Sequence, residues 1–424
     1  MTKAEWDAAA AAHVLGRVGF GADRERVARA VDEGFEATLA EVESRRAHPR
    51  ALTSKSVERL VSLGELEPLR ARWMALILAD GAPLVERASL MWHGHFATSN
   101  AKVDDVRLMH RQNELFRSAG LGDFRTLLHA VAKDPAMLVW LDGDRNRVGA
   151  PNENFAREVM ELFALGVGAG YTEQDIAEAA RAFTGWSVTK RRFVDRTEYH
   201  DRGEKTLFGR GGVQRGEDAI DRVLEHPECP RWIARRLLVT FVEPEPNRAE
   251  IDRWSRVLVS EDWHVGRTLA RIFRDERFLD PEVRRNRISG PVETIARTAL
   301  ATGASVAPAD AARAAVEMGQ ALFEPPTVKG WDGGRAWIDT GTWLARHNHL
   351  ARFALEGPFD PVRAFGDVPR SEIARAVGEL LLPDGVDADL AAALERAARE
   401  ASTSDDAARA ATALALTAPE FHLA

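Results

Sequence analysis

Asn152-Glu153-Asn154-Phe155-Ala156-Arg157-Glu158-Val159-Met160-Glu161-Leu162 is the run whose reading decides the fold. Wound at about 100° per residue, Asn154 to Gly166 puts Phe155, Val159, Leu162 and Gly166 on one core-facing stripe, the pattern of an amphipathic helix. Asn154, Glu158 and Glu161 form a second stripe at i, i+4, i+7 along one edge of that helix. Two carboxylates a turn apart can hold one cation or share a proton; alternatively they pair with arginines at a lobe interface, and both readings stand. Glu153 and Arg157 face elsewhere, as an ordinary i,i+4 surface pair.

Working outward, the preceding loop places Asp142, Asp144, Asn146 and Glu153 at positions 1, 3, 5 and 12 of a calcium-loop pattern. Arg147 stands where that pattern needs glycine, and Arg145 adds positive charge, so the expectation is a loop ordered by local Asx turns. On the other side, Thr172 and Asp175 have the spacing of a capping box. Ile176, Ala179, Ala180 and Phe183 then make a buried face up to Gly185-Trp186.

The same 3.6-residue period recurs along most of the chain. Leu69, Trp73, Leu76 and Ile77 share one face of a helix ending near Gly81, and the next helix starts at Pro83 or Leu84. On it Leu84, Ala88, Met91 and His95 lie at the apolar centre, whereas His93 points away with Glu86 and Ser89. Trp92-His93-Gly94-His95-Phe96 therefore does not offer both histidines to one metal, and His95 is the better candidate ligand or base. A histidine on an apolar face is equally read as a hydrogen-bonded core residue.

Residues 187–216 change character and predict a small β-hairpin or ordered loop, with His200-Asp201 at its turn. Amphipathic runs resume at 218–224, 230–241, 249–258 and 265–272. Pro325 to Trp337 is a Pro/Gly/Trp loop that either lines a pocket with Trp331 and Trp337 or braces two lobes. The expected fold is thus mainly α and two-lobed: a helical lobe over 1–186, the β element over 187–216, and a second helical lobe over 217–424.

Composition narrows the classes. With 57 basic and 65 acidic residues the 424-residue chain carries −8, which argues against a general nucleic-acid binder. The one cysteine, Cys229, rules out an internal disulfide and thiolate clusters. No stretch approaches a membrane span or a signal-peptide core, so a cytoplasmic location is the default reading. No nucleotide loop, nucleophile elbow or His-Glu-x-x-His helix is present.

These pieces carry a resemblance. Leu15-Gly16-Arg17-Val18-Gly19-Phe20-Gly21, Trp92 to Phe96, Pro151 to Gly166, Tyr171 to Trp186, His200 to Thr206 and Pro325 to Trp337 occur in order, and together the chain resembles the bacterial domain-of-unknown-function 1800 family. The resemblance implies a mostly helical protein, often encoded beside a sulfatase-like companion, with relatives that are exported. It implies no activity.

Three function classes follow. A metal-assisted enzyme, hydrolytic or oxidative, would take His95, Glu158, His200 and Asp201 as acid/base candidates and His95, Glu158 and Glu161 as ligands of a divalent ion, with His95 and Glu158 facing one cavity and Glu161 and His200 near its edge. A binding module would hold a glycan or peptide with Asn154, Tyr171, Trp331 and Trp337 as candidate pocket-lining groups. A scaffold would dock the companion protein.

Overall fold

The computed structural model describes residues 6–44 and 55–424. Twenty-four α-helices and two antiparallel strand pairs make up the regular structure of those residues, so the fold is mainly α. No helix among the described residues is long and apolar enough to cross a membrane.

Helices begin where the sequence supplies caps. Asp7, Asp23, Asp105, Asp123 and Asp134 each accept a backbone N–H of the first turn of their helices. The Thr172/Asp175 box is formed in full, capping Glu173–Ala182. Pro83 opens Pro83–His95, where its missing N–H has no partner to lose.

Three apolar cores hold these helices. The largest runs from Trp6 to Val283 and contains the central helices; the second packs Leu66–Leu78 against Pro291–Thr302 and Pro308–Glu317. The third is a bundle of Thr340–Leu355, Ile373–Leu381, Ala388–Glu400 and Ser404–Thr417. The first core crosses the expected division at residue 217: Ile220, Ile233, Leu237 and Phe241 are buried in the same cluster as Phe155 and Trp186. An amphipathic period tells that a face is buried but not against which partner.

The expected β element consists of two hairpins. Trp186–Thr189 pairs with Arg192–Asp195 across Lys190 and Arg191, both at positive φ as a tight primed turn requires. Lys205–Leu207 pairs with Arg210–Val213 across Phe208 and Gly209.

The central helix departs from regular winding. After one α segment, Glu153–Glu158, the chain makes a π-turn over Val159–Ala164, and Met160 O accepts from both Leu165 N and Gly166 N at 2.9 and 3.2 Å. The extra residue per turn shifts the phase. Phe155 and Val159 are buried as expected, but then Met160, Phe163 and Ala164 face the core, and Leu162 is only half-buried. Widening the turn also frees carbonyls from the helix ladder, which then need other donors.

Candidate functional site

Two of those freed carbonyls organise the site. Trp232 Nε1 donates to Leu162 O at 2.8 Å, and His95 Nε2 reaches Phe163 O at 2.9 Å. His95 is buried at the end of Pro83–His95, and its other nitrogen, Nδ1, accepts from Arg236 Nε at 3.2 Å. A guanidinium can only donate, so Nδ1 carries the lone pair and Nε2 the proton. Burial first, and then the charge of Arg236, push the His95 pKa well below its ordinary value, which keeps the ring neutral.

Arg236 lies on Glu228–Phe241, beside the buried Ile233, Ala234 and Leu237, so its side chain leaves the apolar face and extends toward His95. With Nε engaged, its terminal NH₂ groups remain. No carboxylate among the described residues pairs with them. Burial and the neighbouring Arg235 lower the Arg236 pKa to about 10, and it stays cationic at neutral pH.

Arg236, with His95 behind it, lines a cleft of about 890 Å³ between Pro83–His95, Glu228–Phe241, residues 286–293 and the loop from Lys329 to Trp337. Six basic side chains, Arg87, Arg235, Arg236, Arg287, Lys329 and Arg335, face three acidic ones, Glu245, Glu293 and Asp332. Glu293 is itself taken by Arg87 and Arg287. The cleft is thus positive in a chain of net charge −8.

His93 and His95 meet different partners, as their helical phase predicts. His93 Nε2 accepts from Phe323 N at 3.0 Å, and its ring lies 5.4 Å from that of Trp331. Burial lowers its pKa to about 3. The loop closes on this helix at Gly330, at φ 82, where a Cβ would sit 2.3 Å from Gly94 O. Only glycine allows that approach, and it brings both Trp331 and Trp337 to the cleft.

The remaining expected site residues are dispersed. Glu158 is half-buried immediately before the π segment, with no hydrogen-bond partner among the described residues; burial, then Glu161, raises its pKa, against the opposing charges of Arg157 and Lys329. Glu161 pairs with Arg157 at 3.4 Å, which also holds Glu153 and Glu173. Asn154 Nδ2 donates to Leu141 O, and the Tyr171 hydroxyl accepts from Gly168 N at 3.4 Å, so both serve local structure. In the loop before them, the Asn146 amide links Ala180 O to Asn152 N, and Asp142 pairs with Lys102 at 2.7 Å.

The expected single His/Glu/His/Asp cleft is not formed. His200 lines a separate cavity of the hairpin region, its nitrogens 2.8 Å from Thr184 O and 2.9 Å from Gln214 O. Asp201 is bound by Arg181, at 2.8 and 3.3 Å, and that guanidinium lowers its pKa to about 2. Nor do His95, Glu158 and Glu161 converge on one ion: His95 has spent both ring nitrogens, and among the described residues no three His, Cys, Asp or Glu side chains gather to hold a metal.

What the arrangement does bring together is a guanidinium fork, a basic rim and two indoles. A fixed Arg fork binds planar or tetrahedral oxyanions through two parallel hydrogen bonds. Arg236 was the residue missed in the sequence. Its signal was present: it stands four residues from Trp232 and four from Thr240, at the border of the apolar face.

Neither the curated proteins nor the solved structures gave a match to the chain. One family model does match, over residues 13–423, and by that match the chain belongs to the family described as protein of unknown function (DUF1800).

Proposed function

We propose that the protein is a binding protein whose Arg236 cleft holds an anionic ligand. The observation that carries this reading is the guanidinium of Arg236, fixed through Nε by a neutral His95 and left without a carboxylate. A half-buried cation without a carboxylate partner is poorly solvated, and a bound oxyanion would offset part of that cost. The cleft volume lies within the ~300–1,000 Å³ common for small-molecule sites. The metal-assisted reading has no converging ligand set among the described residues to support it. As a binder the chain would act with the sulfatase-like companion that the resemblance implies, holding the anion on which that companion works.

Titration calorimetry and thermal shift with inorganic sulfate and with glucuronate at low salt test the reading. Binding to the wild type stabilises the fold by mass action, and Arg236→Met removes that stabilisation. Equal responses from the two proteins would overturn it.

A further inference from the structure

A second cavity adjoins the cleft. It has a volume of about 430 Å³ and is lined by the glycine-rich turn Leu165 to Ala169 on one side and by Arg231, Trp232 and Arg235 on the other. Arg235 belongs to both cavities. Its side chain is exposed, lies 5.8 Å from the centre of the Trp232 ring, and has no carboxylate partner among the described residues. Arg231 differs: Asp252 and Glu228 take its guanidinium at 2.7 and 2.9 Å. The free positive charge of the second cavity is therefore concentrated at its junction with the cleft.

We infer that the ligand is an extended acidic oligosaccharide that runs from the Trp331/Trp337 cleft past Arg236, over Arg235, and onto Trp232. The inference rests on the cleft reading and adds a substrate class and a length. A sugar ring presents an apolar C–H face to an indole and hydroxyl edges to amides, and the cleft offers both, with Gln320 among its lining groups. Indoles at both ends and unpaired guanidiniums between them suit a chain of such rings carrying carboxylates or sulfates. A peptide would call for a sheet edge or an apolar groove, and no strand lines either cavity. Nucleic acid is disfavoured by the net charge of −8 outside the cleft.

The test is a length series of oligogalacturonates and of heparin-derived sulfated oligosaccharides, from one to about six units, titrated by calorimetry and by tryptophan fluorescence. Affinity rises by about ten-fold or more along at least one series, as linked subsites require. Arg236→Met weakens every length, whereas Arg235→Gln and Trp232→Phe weaken only the longer members. A flat length dependence, or long oligomers indifferent to both Arg235→Gln and Trp232→Phe, overturns the extended site; if Arg236→Met still weakens the short ones, the cleft reading survives. Binding of neither series at any length overturns the glycan assignment, and retained Arg236-dependent binding of sulfate again leaves the cleft reading intact. Equal affinity for a neutral oligosaccharide, poly-glutamate or single-stranded DNA of similar length also overturns it.

Discussion

Two guanidinium sites line one cleft and are held in different ways. Arg87 and Arg287 share the carboxylate of Glu293, whose second oxygen lies 3.0 Å from an Arg287 nitrogen. Arg236 has only a neutral imidazole. In the first site one carboxylate holds two guanidiniums, leaving one net positive charge, and the product is structure. In the second the imidazole orients the guanidinium without neutralising it, so the charge remains available to a ligand. The difference comes from the partner, and stability and binding both bear on it.

The largest expected effect is on acid stability. Burial would raise the Glu293 pKa, but Arg287 and Arg87 outweigh it and hold it far below its ordinary 4.5. A depressed carboxylate contributes stability that is complete above the unfolded pKa and is lost only as pH falls through the folded one, so Glu293 keeps its effect at pH 5. The buried histidines behave oppositely at that pH. Burial lowers His93 and His422 to about 3, with Arg346 adding to the second, and lowers His13 and His95 in the same direction. The unfolded chain takes up their protons below pH 6.5 and the folded chain does not, so stability falls with pH from 6.5 downward. At pH 5 the loss is about 2 kcal/mol each for His93 and His422, with His13 and His95 adding to it. Urea unfolding at pH 7 and pH 5 measures the sum, and equal stabilities would contradict the neutral-imidazole assignment.

Glu293→Gln comes next. The amide keeps the shape but leaves Arg87 and Arg287 without a counter-charge, and stability should drop by roughly 3–5 kcal/mol. A smaller loss, under about 1 kcal/mol, would mean that these guanidiniums are solvated and that the contrast between the two sites is weak.

His95→Phe is expected to cost about 2 kcal/mol, because Phe163 O and Arg236 Nε lose their partner while the volume is retained. The diagnostic readout is binding: with Arg236 free to swing, sulfate affinity falls even where the fold persists. Unchanged affinity would show that His95 is a core residue and nothing more.

These contrasts were only partly legible in the sequence. Helical phase separated His93 from His95 because Pro83–His95 winds regularly, and the Pro/Gly/Trp loop was readable because Gly330, Trp331 and Trp337 are residue types with narrow uses. Phase failed in the central helix. Counting at 100° per residue aligned Glu158 with Glu161, but the π-turn begins between them, and from there Phe163 takes the core position expected of Leu162. A π-turn is stabilised by donors such as Trp232 and His95, which come from distant segments, so local periodicity does not reveal it. Arg236 was obscured for a related reason: a pair of arginines on an amphipathic helix reads as a solvated edge until the partner helix is known.

Arg236→Met is the smallest expected change in stability and the one that separates the two sites most sharply. Removing the side chain leaves His95 Nδ1 without its donor, a loss of about 1 kcal/mol. It also removes a desolvated charge that no carboxylate compensates, and replacing such a group by an apolar one of similar length is neutral or favourable. The two effects oppose each other, and the variant should unfold within about 1 kcal/mol of the wild type. Sulfate and glucuronate binding should nevertheless be lost, since the Arg236 fork is the oriented guanidinium of the cleft that no carboxylate among the described residues takes. If instead the variant were destabilised as severely as Glu293→Gln, Arg236 would have to be compensated within the fold, and its charge would not be held in reserve for a ligand.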